Sequence, residues 1–134
     1  MFDLRGKNAV ITGSSKGLGK SIAKAMALHG ANVVISSRKA DVCQATADEI
    51  NNIDTPPLYG EKGKAVVITC NISDKTALEM LVEESRSQLG KIDILVCNAA
   101  TNPFFGSIKD IPDDAFEKIM NNNIKSNHNL CQMV

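Results

Sequence analysis

The chain has 134 residues, 43% of them hydrophobic and 22% charged, the composition of an ordinary globular domain. Its 15 basic and 15 acidic residues cancel, which argues against a nucleic-acid binder working by bulk positive charge. No apolar run approaches the about 18 residues of a membrane span, and the segment from Met1 to Lys7 lacks the apolar stretch of a secretory signal. A cytoplasmic protein is therefore expected, with a peroxisomal address in a longer version left open. The four cysteines, Cys43, Cys70, Cys97 and Cys131, form no CxxC pair, so no zinc or other metal site is expected. Cys70 and Cys97 each close an apolar run, and the cysteines are expected to be buried, reduced and structural.

In chain order, short apolar runs alternate with helical patterns. The run Asn8 to Ile11 is a strand entering Thr12-Gly13. Leu18, Ile22, Ala23 and Met26 then fall at helical spacing, and Gly30 stops the helix as a C-terminal glycine does. His29, just before it, sits where a cation is favoured. Ala31 to Ile35 is a second strand, and a polar helix follows from about Ala40 to Ile53. The turn-rich stretch from Asp54 to Gly60 cannot continue it. Ala65 to Cys70 is a third strand. Ser73 or Asp74 can cap the third helix, whose apolar face is Leu78, Leu81, Val82 and Leu89 and which ends at Gly90. Ile92 to Cys97 is a fourth strand. A long polar loop reaches Ile111, and a last helix starts near Pro112.

Strands that are continuous apolar runs are buried on both faces, and their alternation with helices implies a parallel sheet covered by helices. The fold class is therefore α/β. Right-handed crossovers give the strand order 3-2-1-4, the first half of a doubly wound Rossmann-type sheet. Residues 1–134 are read as one domain. The open side of the fourth strand is expected to expose a long apolar edge that invites pairing with another chain.

The strongest motif, Thr12-Gly13-Ser14-Ser15-Lys16-Gly17-Leu18-Gly19, lies between the first strand and the first helix. A helix N-terminus presents N–H groups and a partial positive charge to an anion such as a pyrophosphate, and glycines let the backbone approach it. The spacing is Gly-x3-Gly-x-Gly. It is not the general Gly-x-Gly-x2-Gly, and not a P-loop, because Gly19-Lys20-Ser21 would need a glycine where Ser14 stands.

With this turn, Cys97-Asn98-Ala99-Ala100 after the fourth strand, and Asn123 within the run from Phe116 to Asn123, the chain resembles the short-chain dehydrogenase/reductase family over the whole span from Arg5 to Val134. The family usually has Asn-Asn-Ala-Gly after that strand, so Cys97 and Ala100 depart from its commonest form. The resemblance implies an NAD(P)-binding domain, with Gly13, Ser15, Lys16, Gly17, Leu18 and Gly19 as cofactor contacts. It further implies that Asn71 and Ile72 take the adenine and that Asn98, Ala99 and Ala100 line the nicotinamide-side ribose. Asn71 stands where the family usually has an acid, and a turn residue capping the third helix is an equal reading of it.

Family NAD binders place an acid near the end of the second strand, whereas NADP binders need a cation there. Here the strand ends Ser36-Ser37-Arg38-Lys39, with no acid before Asp41. Arg38 can grip a 2′-phosphate with two parallel hydrogen bonds, and Ser37 can donate one more. Lys16 resembles the second basic position of NADP-preferring members. NADP(H) is expected over NAD(H).

The resemblance also implies a catalytic Ser and a Tyr four residues before a Lys, the lysine lowering the tyrosine's pKa. Tyr59 is the chain's one tyrosine, and Gly63 stands four residues later. Of the catalytic set only Asn123 is matched, a residue that would order a proton-relay water, and the catalytic half is expected to be absent. The loop from Asn98 to Ile108 resembles the branch of peroxisomal and bacterial NADP-dependent carbonyl and retinal reductases. Phe104 and Phe105 either line an apolar substrate pocket or pack under that loop.

Three readings stay open. One is an NADP(H)-dependent carbonyl reductase or alcohol dehydrogenase acting on a small-molecule substrate, inactive as this chain alone. The second is a non-catalytic nucleotide-binding or interaction module, and the third a 3-oxoacyl thioester reductase. The resemblance implies a homo-oligomer, and neither nucleic acid nor membrane is expected as a partner.

Overall fold

The computed structural model describes residues 2–54 and 56–134. Met1, and Thr55 within the expected turn-rich stretch, lie outside them. The element order is β1 (Asn8–Thr12), α1 (Gly17–Leu28), β2 (Asn32–Ser36), α2 (Ala40–Asn51), β3 (Ala65–Val67), α3 (Lys75–Leu89) and β4 (Ile94–Val96). A 3-10 turn (Ile108–Asp110) precedes α4 (Asp113–Met120), a π-helical segment (Asn121–Lys125) and α5 (Ser126–Met133). The four strands form one sheet in the order β3-β2-β1-β4, and every neighbouring pair is parallel. The expected topology is therefore the observed one.

Two apolar cores lie on the two faces of the sheet. One joins Ala9, Ile11, Val33 and Ile35 to Ala23 and Ala27 of α1 and to Cys43, Ala47 and Ile50 of α2. The other joins Val10 and Val34 to Leu78, Leu81 and Val82 of α3 and to Leu130 of α5. Alternate residues of each strand thus serve opposite cores. This is why β1 and β2 read as unbroken apolar runs, with β1 buried throughout.

The outer strands differ from expectation. β3 ends at Val67 and β4 spans three half-buried residues, because each has a ladder partner on one side only. The open edge of β4 is accordingly short. Cys97, expected to be buried, lies just past that edge strand and is exposed, as is Cys131, whereas Cys43 and Cys70 are buried.

The last helix also departs from the expected single pattern. Met120, Asn121, Lys125 and Ser126 all keep right-handed helical backbone, so α4, the π segment and α5 run on as one helix with a wide turn inside it. Side chains take up carbonyls of that turn: the Ser126 hydroxyl donates to Asn122 O, and Asn127 Nδ2 donates to Asn123 O at 2.8 Å. No periodicity of apolar residues announces such a turn, although π turns recur at functional sites.

At the N-terminal end of the strands, amide side chains tie neighbours together. Asn8 Nδ2 donates to Leu89 O and Lys91 O, and Asn32 Nδ2 donates to Asn8 Oδ1, all at 2.9 Å. Asn51 accepts from Ala65 N and donates to Ala65 O. Asp93 closes the row, accepting from Asn8 N at 3.0 Å and pairing with Lys91 at 2.8 Å.

The Lys91 ammonium, with the Asn8 N–H, holds the Asp93 carboxyl below its ordinary range. A depressed folded-state pKa contributes stability above the unfolded value near ~3.9, and that contribution disappears as pH falls through the folded pKa. Asp93→Asn should therefore lower the urea midpoint at pH 7 and narrow its gap to the wild type at acid pH. An equal gap at pH 7 and pH 3 would remove Asp93 from the acid response.

Candidate cofactor site

The first strand delivers the chain to the C-terminal edge of the sheet at Thr12, and the glycine turn starts there. Gly13 and Gly17 have φ of +65° and +54°, a region in which side-chain-bearing residues are strained. Gly19 is needed for space: a Cβ on it would stand 2.4 Å from Gly13 O and 2.6 Å from Asn98 Nδ2.

Ser14 and Thr12 organise this turn. The buried Ser14 hydroxyl donates to Ile11 O at 2.6 Å and accepts from Ser36 N at 2.8 Å, which binds the turn to the end of β2. Thr12 Oγ1 accepts from both Asn98 N and Ala99 N at 3.1 Å. Asn98 Nδ2 in turn donates to Thr12 O and Gly13 O, at 3.0 and 3.1 Å. The Asn-Ala pair after β4 is thereby locked onto the glycine turn. Ser15 O accepts from Thr46 of α2 at 2.8 Å.

Lys16 takes the N-cap position of α1, but no side chain caps this helix and its first turn carries no acid. The other helices that begin from loops differ. α2 has Asp41 in its first turn, Asp74 caps α3 through Thr76 N and Ala77 N, and α4 starts with Asp113 and Asp114. The positive end of α1 is the one left without a neutralising carboxylate.

A cavity of about 610 Å³ opens at this edge. Its lining includes Gly13, Ser37, Arg38, Asn71, Ile72, Asn98, Ala99 and Ala100, so eight of the expected cofactor contacts converge on one space. Ser15, Lys16, Gly17, Leu18 and Gly19 are not among the lining residues. Gly19 is buried beneath the turn, while Lys16, Gly17 and Leu18 are exposed at the start of α1. Ser36, Cys70, Ser73, Thr101, Asn102, Pro103, Lys118 and Asn122 complete the wall. No carboxylate lines the cavity, whereas Arg38 and Lys118 do. Cys70 supplies a neutral patch, since burial, with Asp74 nearby, pushes its thiol up to about 11.

Several side chains near the cavity are already engaged. Asn71 Oδ1 accepts from Ser73 Oγ at 2.7 Å and from Ser73 N at 3.3 Å, so the acceptor assigned to adenine also shapes the turn before α3. Ser37 Oγ contacts Cys43 Sγ at 3.1 Å. Asn123 holds Thr101 by two bonds, accepting from Thr101 N at 2.8 Å and donating to Thr101 O at 2.9 Å. Asn122 Nδ2 adds a bond to Thr101 Oγ1 at 3.0 Å. The π turn is what brings both asparagines to one loop residue.

Phe104 and Phe105 are not lining residues. Phe105 is 90% exposed, and the Phe104 ring folds over Gly106. Tyr59 lies in the loop before β3, its hydroxyl accepting from Phe2 N, away from the cavity. Sequence reasoning missed Thr12, Ser14, Thr101, Lys118 and Asn122. Thr12 and Ser14 stood inside the motif itself, and a run of three asparagines marks the π turn, but Lys118 left no sequence signal.

This combination of a glycine turn, a strand-end asparagine bound to it and an asparagine-bearing long helix has counterparts among known proteins. The short chain dehydrogenase family model matches residues 7–134. Dehydrogenase/reductase SDR family member 4 of Homo sapiens is 40% identical over 124 residues, which are 92% of this chain and 41% of that protein. L-rhamnose 1-dehydrogenase (NADP(+)) of Thermoplasma acidophilum is 37% identical over 134 residues, all of this chain and 50% of that one. The crystal structure of a hydroxysteroid dehydrogenase from Escherichia coli superposes with a TM-score of 0.86 at 35% identity, covering 99% of this chain and 52% of that one. The chain spans about half the length of these relatives. Matched in sequence from Lys7 to Val134 and in strand order throughout, it belongs to the short-chain dehydrogenase family.

Proposed function

We propose that this chain is the NADP(H)-binding part of a short-chain oxidoreductase that interconverts a ketone or aldehyde with an alcohol. The observation that carries the reading is the cavity wall: it holds Arg38 just past the end of β2, Lys118 of α4, and no carboxylate. A ribose 2′-phosphate needs a cation at the end of the second strand, and a free 2′-hydroxyl an acid. The bound nucleotide would supply the hydride.

This chain's own residues bind and orient. The uncapped positive end of α1 faces the pyrophosphate, Gly13 and Gly19 leave room for it, and Asn98 to Ala100 wall the nicotinamide-side ribose. Ser15, Lys16, Gly17 and Leu18 shape the phosphate turn, while Asn71 and Ile72 border the adenine. Asn123 acts as a positioning residue through Thr101. The acid–base pair that the family uses is not formed by Tyr59, which has Gly63 four residues on. The 134 residues are accordingly read as one nucleotide-binding unit that binds without efficient turnover. A small-molecule substrate and a homo-oligomer are what the family resemblance adds to this reading.

Titration calorimetry of the chain with NADPH and NADH tests this. NADPH should bind more tightly, and Arg38→Asp should weaken NADPH by about tenfold to a hundredfold, the worth of a charge-assisted hydrogen bond, while sparing NADH. Equal binding of the two nucleotides, unaffected by the substitution, would overturn the assignment.

A further inference from the structure

We propose that Asn122 reads the adenine of the bound nucleotide: its side-chain oxygen, held in the cavity wall it shares with Ile72, accepts a hydrogen bond from the adenine amino group. The inference rests on the nucleotide reading of the cavity given above.

Asn122 stands in the π segment and is 4% exposed. Its Nδ2 donates to Thr101 Oγ1 at 3.0 Å, which fixes the plane of the amide. Its Oδ1 has no hydrogen-bond partner among the described residues. No side-chain nitrogen or oxygen sealed inside the described structure lacks a partner, so this oxygen opens onto cavity space and not into packed side chains. A polar atom largely withdrawn from water regains what it lost only by pairing, and an acceptor left open in this way is where a ligand's donor is received. The neighbouring Asn123 differs, because both atoms of its amide are engaged by the Thr101 backbone.

Placement narrows the donor. Beside the cofactor cavity lies a second one of about 520 Å³, and Ile72, Ser73, Lys118 and Asn122 line both. These four form the wall common to the two spaces, which sets Asn122 on the same stretch as Ile72, a residue that borders the adenine in the proposed binding mode. The other side-chain acceptor there is Asn71 Oδ1. An amide oxygen has two lone pairs, and Ser73 Oγ and Ser73 N take those of Asn71 at 2.7 and 3.3 Å. Asn71 thus uses its oxygen in the turn before α3, whereas the Asn122 oxygen is open. The hydrogen-bond donor of adenine is its amino group, its ring nitrogens being acceptors, so the amino group is the part of the base that an open amide oxygen recognises.

Titration calorimetry of the chain with NADPH and with its hypoxanthine analogue, in which a carbonyl oxygen replaces the adenine amino group, tests this. The analogue sets an acceptor against the Asn122 oxygen, and the wild-type chain should bind it about tenfold more weakly than NADPH. Asn122→Leu should bring NADPH down to the level of the analogue, leaving the two nucleotides equal. A merely structural disturbance would weaken both and keep their ratio. Asn122→Ser, too short to hold the acceptor in place, reads the same ratio where the leucine variant folds poorly. Equal affinities in the wild type, or a preference for NADPH that survives both substitutions, would overturn the proposal and leave the cofactor assignment standing. A wild-type chain that binds neither nucleotide would overturn both.

Discussion

A chain carrying Gly63→Ala is expected to lose its cooperative urea transition, or to keep one displaced by about 4 kcal/mol or more, the range reserved for severe backbone conflicts. The added Cβ would stand 1.7 Å from Ala31 O and 2.2 Å from Ala31 C. Both are backbone atoms, so no side-chain rotation relieves the contact. Nor can the two segments separate freely. Gly63 N donates to Ala27 O at the end of α1 at 2.9 Å, and Val33 N donates to Lys64 O at 2.8 Å. Lys64 N donates to Asn32 Oδ1 at 3.1 Å. Moving residues 62–64 outward would cost these bonds at the point where β3 enters the sheet. Circular dichroism against urea concentration reads the result. A variant with the wild-type midpoint would mean that the crossing relaxes at almost no cost. Gly60→Ala is the useful contrast, since its Cβ meets nothing closer than 3.7 Å, and the expected penalty is the left-handed backbone strain of about 1–2 kcal/mol.

Gly19→Ala should abolish measurable nucleotide binding while leaving the chain folded. The new Cβ would lie 2.4 Å from Gly13 O, 2.6 Å from Asn98 Nδ2 and 2.9 Å from Gly13 C. Asn98 would have to release Gly13 O, and the turn would have to open. Overpacking of this kind costs about 1–3 kcal/mol, and the lost hydrogen bond about 1 kcal/mol more. The damage falls on the turn that the proposed pyrophosphate would occupy, so affinity should fall further than stability does. Calorimetry with NADPH beside urea unfolding separates the two. Gly17→Ala is the control: its Cβ meets open space, and only the strain of its positive φ remains. If both variants bind equally well, Gly19 is not a limiting contact of the site.

The sheet order was legible because four apolar runs alternated with helical spacing, and the handedness of crossovers leaves one arrangement of such units. The glycine turn and Asn98 were legible because backbone geometry at a phosphate turn demands particular residues at particular spacing. Strand ends were less so. Ile68 and Cys70 lie past the end of β3, yet they are buried in the core with α3, and their N–H groups still donate to Ile35 O and Ser37 O. The burial of Cys97 was misjudged for a related reason. The strand order already put the fourth strand at the edge, but closing an apolar run does not by itself bury a residue that follows an edge strand. The π turn escaped altogether, because what sustains it is hydrogen bonding by Asn122, Asn123, Ser126 and Asn127. Those of Asn122 and Asn123 reach Thr101, more than twenty residues away, those of Ser126 and Asn127 stay within the helix, and hydrophobic periodicity carries no trace of either. Phe104 and Phe105 stood between two readings, a substrate pocket and packing under their loop, and sequence could not choose because a loop's path is set by tertiary contacts: Phe105 is exposed and the Phe104 ring folds over Gly106.

The strand order has a consequence for how the chain reaches this structure. Asn8 at the start of β1 bonds Asn32, 24 residues away, and Asp93, 85 residues away. Closing the longer loop costs roughly 1 kcal/mol more in chain entropy, and non-local pairings are the slow ones. The β1-β2-β3 unit therefore has the shorter search, and β4 docks onto a surface already formed. During synthesis from the N-terminus the same order is imposed by time, since β4 emerges after the others. Asn98 travels with β4, so the glycine turn acquires its asparagine brace in the final step, and a chain halted before β4 docks has a sheet but no finished cavity.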